Sequence, residues 1–213
     1  MQPILASLAL LATTAFPLSA ETLSADVWAD NWFEMRIDGV QVAQDSVPIT
    51  TERSFNAESF RFEAERPFVI GVVARDFKEN DTGLEYIGSP RQQMGDGGII
   101  LQILDDAGEP VAVSDDGWQC LVIHTAPLDK ACESLTNPVA GEGACAFDAF
   151  DEPAGWDMAA FDASDWPQAD IYSEREVSPK DGYDEISWVN GAELIWGPDL
   201  VQSNTVLCRL TVD

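Results

Sequence analysis

Basic residues are scarce. The 213-residue chain has 11 Lys and Arg against 38 Asp and Glu, a formal charge of −27. That imbalance makes nucleic acid and anionic membrane poor partners, because both repel an acidic surface. Histidine is scarcer still, with His124 alone. One histidine excludes a two-histidine metal site, and no Gly-x-Ser-x-Gly elbow accompanies it to suggest a Ser-His-Asp triad. Following the apolar run Leu121-Val122-Ile123, it reads as a strand-end histidine with a backbone partner. No stretch approaches the roughly 18 apolar residues that a membrane-crossing helix needs. Internal repeats and low-complexity tails are also missing. Cysteine is limited to Cys120, Cys132, Cys145 and Cys208.

Met1 to Ala20 carries no charged side chain, contains the apolar run Ile4 to Ala12 and ends in Leu18-Ser19-Ala20. This pattern predicts a secretory signal peptide and a secreted or periplasmic product, with residues 21–213 as a single domain. In an oxidising compartment the even number of cysteines predicts two disulfides. Three connectivities are open. The preferred one joins Cys132 to Cys145 across a loop and Cys120 to Cys208 between strands.

The polar–apolar pattern is that of a β protein. Phe33, Met35 and Ile37 alternate with Glu34, Arg36 and Asp38, then Asp38-Gly39 supplies turn chemistry before Val40 and Val42; this predicts a half-buried hairpin. Phe60 and Phe62 alternate similarly, whereas Phe68 to Ala74 is apolar on both faces, as expected of a central strand covered by an opposing sheet. Further strands are predicted at Ile99–Leu104 and Val111–Val113, around the turn Asp105-Asp106-Ala107-Gly108, and at Trp118–Ile123, Leu194–Trp196 and Val206–Val212. Between them lie a long polar excursion over 76–98 and an irregular connection over 125–153, pinned by disulfide.

Two segments carry a resemblance. Trp28-Ala29-Asp30-Asn31, with the alternation and polar-Gly turn that follow, resembles the opening of galactose-binding-like jelly-roll modules. Gly155-Trp156 through Phe161-Asp162-Ala163-Ser164-Asp165-Trp166 to Ala169 is similar to a later signature of the same modules. The resemblance implies an all-β antiparallel sandwich of jelly-roll type with long loops, a non-catalytic role beside glycoside hydrolases, and a structural role for Trp156 and Trp166. A second likeness, over Asp45–Thr50, Ser54–Glu58, Phe77–Gly88 and Gln92–Gly98, is to exported copper-responsive surface proteins of methanotrophs. In that group copper is held by histidines and an oxidised tryptophan, which maps the copper alternative onto Trp118 and His124. This chain departs from the pattern in having one histidine.

Several residue groups can carry chemistry. Asp76, Glu79, Asn80, Asp81 and Glu85 offer hard oxygens on a loop with Gly83, which predicts a calcium site, since calcium takes six to eight oxygens in irregular geometry. Lys180-Asp181-Gly182-Tyr183-Asp184-Glu185 is a second acidic cluster. Of seven tryptophans, Trp28, Trp32 and Trp188 are the candidates for stacking on a sugar. Met35, Met94 and Met158 are soft donors but read as core filler. A glycosidase needs only two suitably spaced carboxylates, so among 38 acids their presence is uninformative; a hydrolase would require a cleft with carboxylates of mismatched pKa. The sequence thus predicts an exported, non-catalytic binding module for carbohydrate or a metal ion, with calcium on the acidic loop. A copper-binding protein and a carboxylate-dependent hydrolase are the competing readings, and no oligomeric state follows.

Overall fold

The computed structural model describes residues 20–213. The predicted signal peptide lies, but for Ala20, outside the described residues. In chain order the strands are β1 (Glu21–Asp30), β2 (Trp32–Ile37), β3 (Val40–Gln44), β4 (Ala57–Ala64), β5 (Phe68–Arg75), β6 (Leu84–Glu85) and β7 (Gln93–Met94). They continue with β8 (Gly98–Leu104), β9 (Pro110–Val113), β10 (Gln119–Thr125), β11 (Asp148–Ala149), β12 (Asp170–Tyr172), β13 (Leu194–Trp196) and β14 (Ser203–Val212). One sheet runs β12-β13-β8-β1-β4 with β9 also on β8, the other runs β11-β10-β14-β5-β2-β3, and β6 and β7 form a separate ribbon. The pairings are antiparallel. The molecule is an all-β sandwich.

Strand alternation builds the core. Leu23, Ala25, Val27 and Ala29 of β1 and Ile99, Leu101 and Ile103 of β8 face Phe33, Met35, Phe68, Ile70, Val72 and Val206 of the other sheet. Each large apolar side chain buried this way contributes roughly 1.5–3 kcal/mol. The Asp38-Gly39 hairpin forms as expected, both residues taking positive φ, 46° and 77°. β1 was not anticipated as a strand, although Leu23, Ala25 and Val27 alternate with Thr22, Ser24 and Asp26 as clearly as β2 does.

The outer faces of the sheets are covered by loops. The apolar outer face of β5 is not under a sheet: Val73 packs with Ile123, Leu207 and Trp156, over which Trp166 stacks at 6.1 Å. Gly71 permits this approach, since a Cβ there would stand 2.8 Å from the Cβ of Asp157 and 3.1 Å from the Trp156 ring. Arg36 fastens the same turn by ion pairs to Glu152 (3.0 Å) and Asp157 (3.4 Å). On the other side Trp28, Ile100, Val177 and Leu194 form a second cluster under the segment from Tyr172 to Ala192. The irregular connection also has a core of its own, where Leu84 packs on the Cys132–Cys145 disulfide.

Cys120 and Cys208, directly opposed on β10 and β14, form the second disulfide, so the preferred connectivity is the one present. The 88-residue separation makes it the stronger constraint on the unfolded chain. We expect C120A/C208A to lose about 3 kcal/mol of stability in urea unfolding. A separate expectation concerns Asp45, which is buried, with Oδ1 accepting from the Val47 N–H (2.8 Å) and Oδ2 unpartnered. Burial, with Glu58 nearby, pushes its carboxyl from 3.8 up to about 7. A folded-state pKa above the unfolded value means that this contribution is full below pH 4 and is lost as pH rises through 7. D45N should therefore match the parent near pH 4 and exceed it at pH 8 by roughly 3–4 kcal/mol, as read from denaturation midpoints.

Candidate functional site

Four carboxylates and one ammonium meet at one end of the sandwich. Asp30 ends β1, Asp76 follows β5, Glu85 lies in β6 and Asp96 precedes β8. Asp30, Asp76 and Glu85 are 1%, 3% and 4% exposed. Lys180 reaches in from the C-terminal excursion, its Nζ 3.5 Å from Asp30 and 3.7 Å from Asp96 and 4.8 Å above the Phe55 ring.

Asp76 is the most demanding of these groups. Its backbone N–H donates to the Asn204 carbonyl (3.0 Å), but neither carboxylate oxygen completes a hydrogen bond, nor does the Asn204 amide nitrogen, although its nearness favours the charged carboxylate. Oδ2 lies against Gly95, where a Cβ would stand 2.3 Å away; only glycine fits. Burial raises the Asp76 pKa well above the carboxylate range, and the charges of Asp30, Glu85 and Asp96 raise it further. Asp30 is raised by burial and then by Asp96, against the lowering effect of Lys180. Burial opposes the charge on Lys180, but Asp30 and Asp96 outweigh it and raise the lysine.

Glu85, Asp96 and Lys180 open onto a cavity of about 340 Å³ whose wall also includes Glu52, Arg53, Phe55, Tyr86, Gln93 and Asp181. Burial, together with Asp96 and Glu52, lifts Glu85 to about 7, against the Gln93 amide that donates to it at 2.9 Å. Glu52 is held low by the Tyr86 hydroxyl. Tyr86 has φ 52°, a left-handed conformation that costs an aromatic residue on the order of 1 kcal/mol, and its ring is covered by Arg91 at 4.1 Å.

The predicted calcium loop is split by the fold. Glu79 accepts from the Ile87 N–H (2.9 Å), Asn80 from the Thr82 N–H (2.9 Å), and Asp81 pairs with Lys78 (2.5 Å) and His124 (3.2 Å). Those three shape the loop, and only Asp76 and Glu85 turn to the acidic cluster. Among the described residues no three acidic, histidine or cysteine side chains enclose an ion as they stand. The copper pair is not brought together either. Trp118 is fully buried, its indole N–H donating to the Val113 carbonyl (2.8 Å), and six residues along a strand put His124 about 20 Å away. His124 instead sits between Asn204 (3.0 Å) and Asp81, and burial lowers its pKa.

The tryptophan assignment needs correction at Trp28. Trp28 has no exposed surface, so no sugar can stack on it. Trp32 is half-buried beneath Arg75 at 4.9 Å, and Trp188 packs on Tyr183 with its N–H on the Tyr183 carbonyl. The pocket aromatics are Phe55 and Tyr86, which no sequence pattern marked. Asp96 and Lys180 were legible only as parts of a Gly-rich run and a separate acidic cluster.

Fold and site define an all-β sandwich with an acid-lined pocket at one end. No family model, curated protein or solved structure matches the chain.

Because Asp30 is buried and Lys180 is its only cationic contact among the described residues, K180M should lower stability in metal-free buffer. The lysine is 42% exposed, which limits the expected loss to about 1 kcal/mol, with K180R recovering most of it.

Proposed function

We propose that the chain is an exported, non-catalytic binding module that takes a carbohydrate in the pocket between Phe55 and Tyr86. The composition of the pocket wall carries this reading. Acceptors on Glu52, Glu85, Asp96 and Asp181 alternate with donors on Arg53 and Lys180, Gln93 offers both, and two aromatic rings stand among them. Sugar hydroxyls need such paired donors and acceptors, while sugar C–H faces need an aromatic surface. A volume near 340 Å³ is at the small end for ligand pockets, suited to a mono- or disaccharide unit. The two disulfides suit an oxidising compartment, and among the described residues no helix is long and apolar enough to cross a membrane. The jelly-roll likeness around Trp28 and Trp156 points to the same kind of module.

Glu52 and Glu85 favour a second reading. One carboxyl is held low and the other is lifted to about 7 in the same pocket, the split expected of an acid/base pair in a carboxylate-dependent hydrolase. Calorimetric titration with a panel of oligosaccharides, followed by mass analysis of the recovered glycan, separates the two. Binding that F55A weakens about tenfold, with the glycan intact, supports the module. Cleavage abolished by E85Q establishes the hydrolase, and a blank panel with folded protein removes both.

A further inference from the structure

We infer that the acidic cluster behind the pocket is a site for one hard divalent cation of the calcium type, held by Asp30, Asp76, Glu85 and Asp96, with Lys180 as its resident substitute. The inference does not rest on what the pocket binds, although Glu85, Asp96 and Lys180 belong to both sites. Its starting point is Asp76, a carboxylate 3% exposed with both oxygens unpartnered, lodged against the one backbone position, Gly95, that leaves it room. A buried carboxylate without hydrogen bonds costs several kcal/mol unless a cation or a proton neutralises it. The charges that act on it are three more carboxylates, Asp30, Glu85 and Asp96, so the cluster amplifies the cost instead of relieving it. A single ammonium reaches Asp30 and Asp96 at 3.5 and 3.7 Å, both long for charge-assisted hydrogen bonds.

The donor set selects the ion. Four carboxylates without histidine or thiolate suit calcium, magnesium or manganese and not copper or zinc. Calcium fits best, because it accepts irregular geometry and mixed carboxylate and amide oxygens. The cage is closed by side-chain rotation. Asp30 and Asp76 are fixed at the ends of β1 and β5, whereas Asp96 is 39% exposed and Glu85 is held by one hydrogen bond to the exposed Gln93. Both can turn inward when a divalent ion displaces the Lys180 ammonium. This set shares only Asp76 and Glu85 with the loop from Asp76 to Glu85, whose other members hold the loop's own turns.

The test is calcium titration of the EDTA-stripped protein by calorimetry and thermal unfolding, without glycan and with magnesium and manganese in parallel. The expected result is about one calcium per chain and a melting temperature that rises with calcium concentration. D76N should weaken binding at least tenfold, E79Q should leave it unchanged, and K180M should tighten it several-fold, because the competing ammonium is gone. D96N serves as the second removal variant should D76N not fold. Absence of heat and of any melting shift with all three cations overturns the site and leaves Asp76 a protonated carboxyl. Binding lost in E79Q but kept in D76N would move the ion to the loop and equally overturn the assignment.

Discussion

The contact beneath Trp28 is the one on which the site depends. Its ring is buried against Tyr183, edge-on at 5.6 Å, and its indole N–H donates to the Asp181 carbonyl at 3.1 Å. A long excursion between β12 and β13 is thereby held onto the outer face of β1. Residues 180 and 181 are the part of that excursion fixed two positions along the strand from Asp30. Loops are normally the least ordered parts of a sandwich, but here the sheet faces outside the core are apolar and require cover. Covering them orders the loops, and ordering the loops assembles the pocket.

The cost of that assembly is electrostatic. Strand ends are where polar backbone gives way to turns, and on a chain with 38 acids the turns bring carboxylates with them. Most are solvated or used locally, as Asp105 is in accepting from Ala107 and Glu109. Asp30 and Asp76 differ because their strands deliver them beneath other segments, away from water. Mutual repulsion then adds to desolvation, and one half-exposed lysine cannot neutralise four carboxylates.

Fold and site were unequally legible for a definite reason. Alternation, apolar runs and turn residues are all local signals, so β2, β3, β5 and the β8–β9 hairpin could be read directly, and turn chemistry at Asp38-Gly39 fixed a register. β1 escaped prediction because its first residues follow directly on the stretch whose pattern predicts a signal peptide. The cover on β5 was attributed to a sheet because an apolar face states that it is buried without stating by what. Acidic residues close in sequence were grouped as one site, yet adjacency favours using them as turn caps, the role taken by Glu79 and Asn80. Residues from the ends of β1, β5 and β6 and from two loops converge only after folding. Tryptophans misled for a related reason: a large amphipathic ring suits a ligand surface and a sheet cover equally well, and Trp28 covers.

A cation in the cluster and acid catalysis in the pocket make opposite demands on Glu85. General acid work requires a carboxyl that keeps its proton near neutral pH, and the burial beside Asp96 that lifts Glu85 supplies this only while the cluster holds no added positive charge. A divalent ion would favour the ionised form and tie its oxygens to the cluster, taking away the proton and turning the side chain from the cavity. The remaining wall would be acceptors, donors and two rings, sufficient to hold a sugar and insufficient to break one. Occupancy of the cluster would therefore decide between the two readings of the pocket.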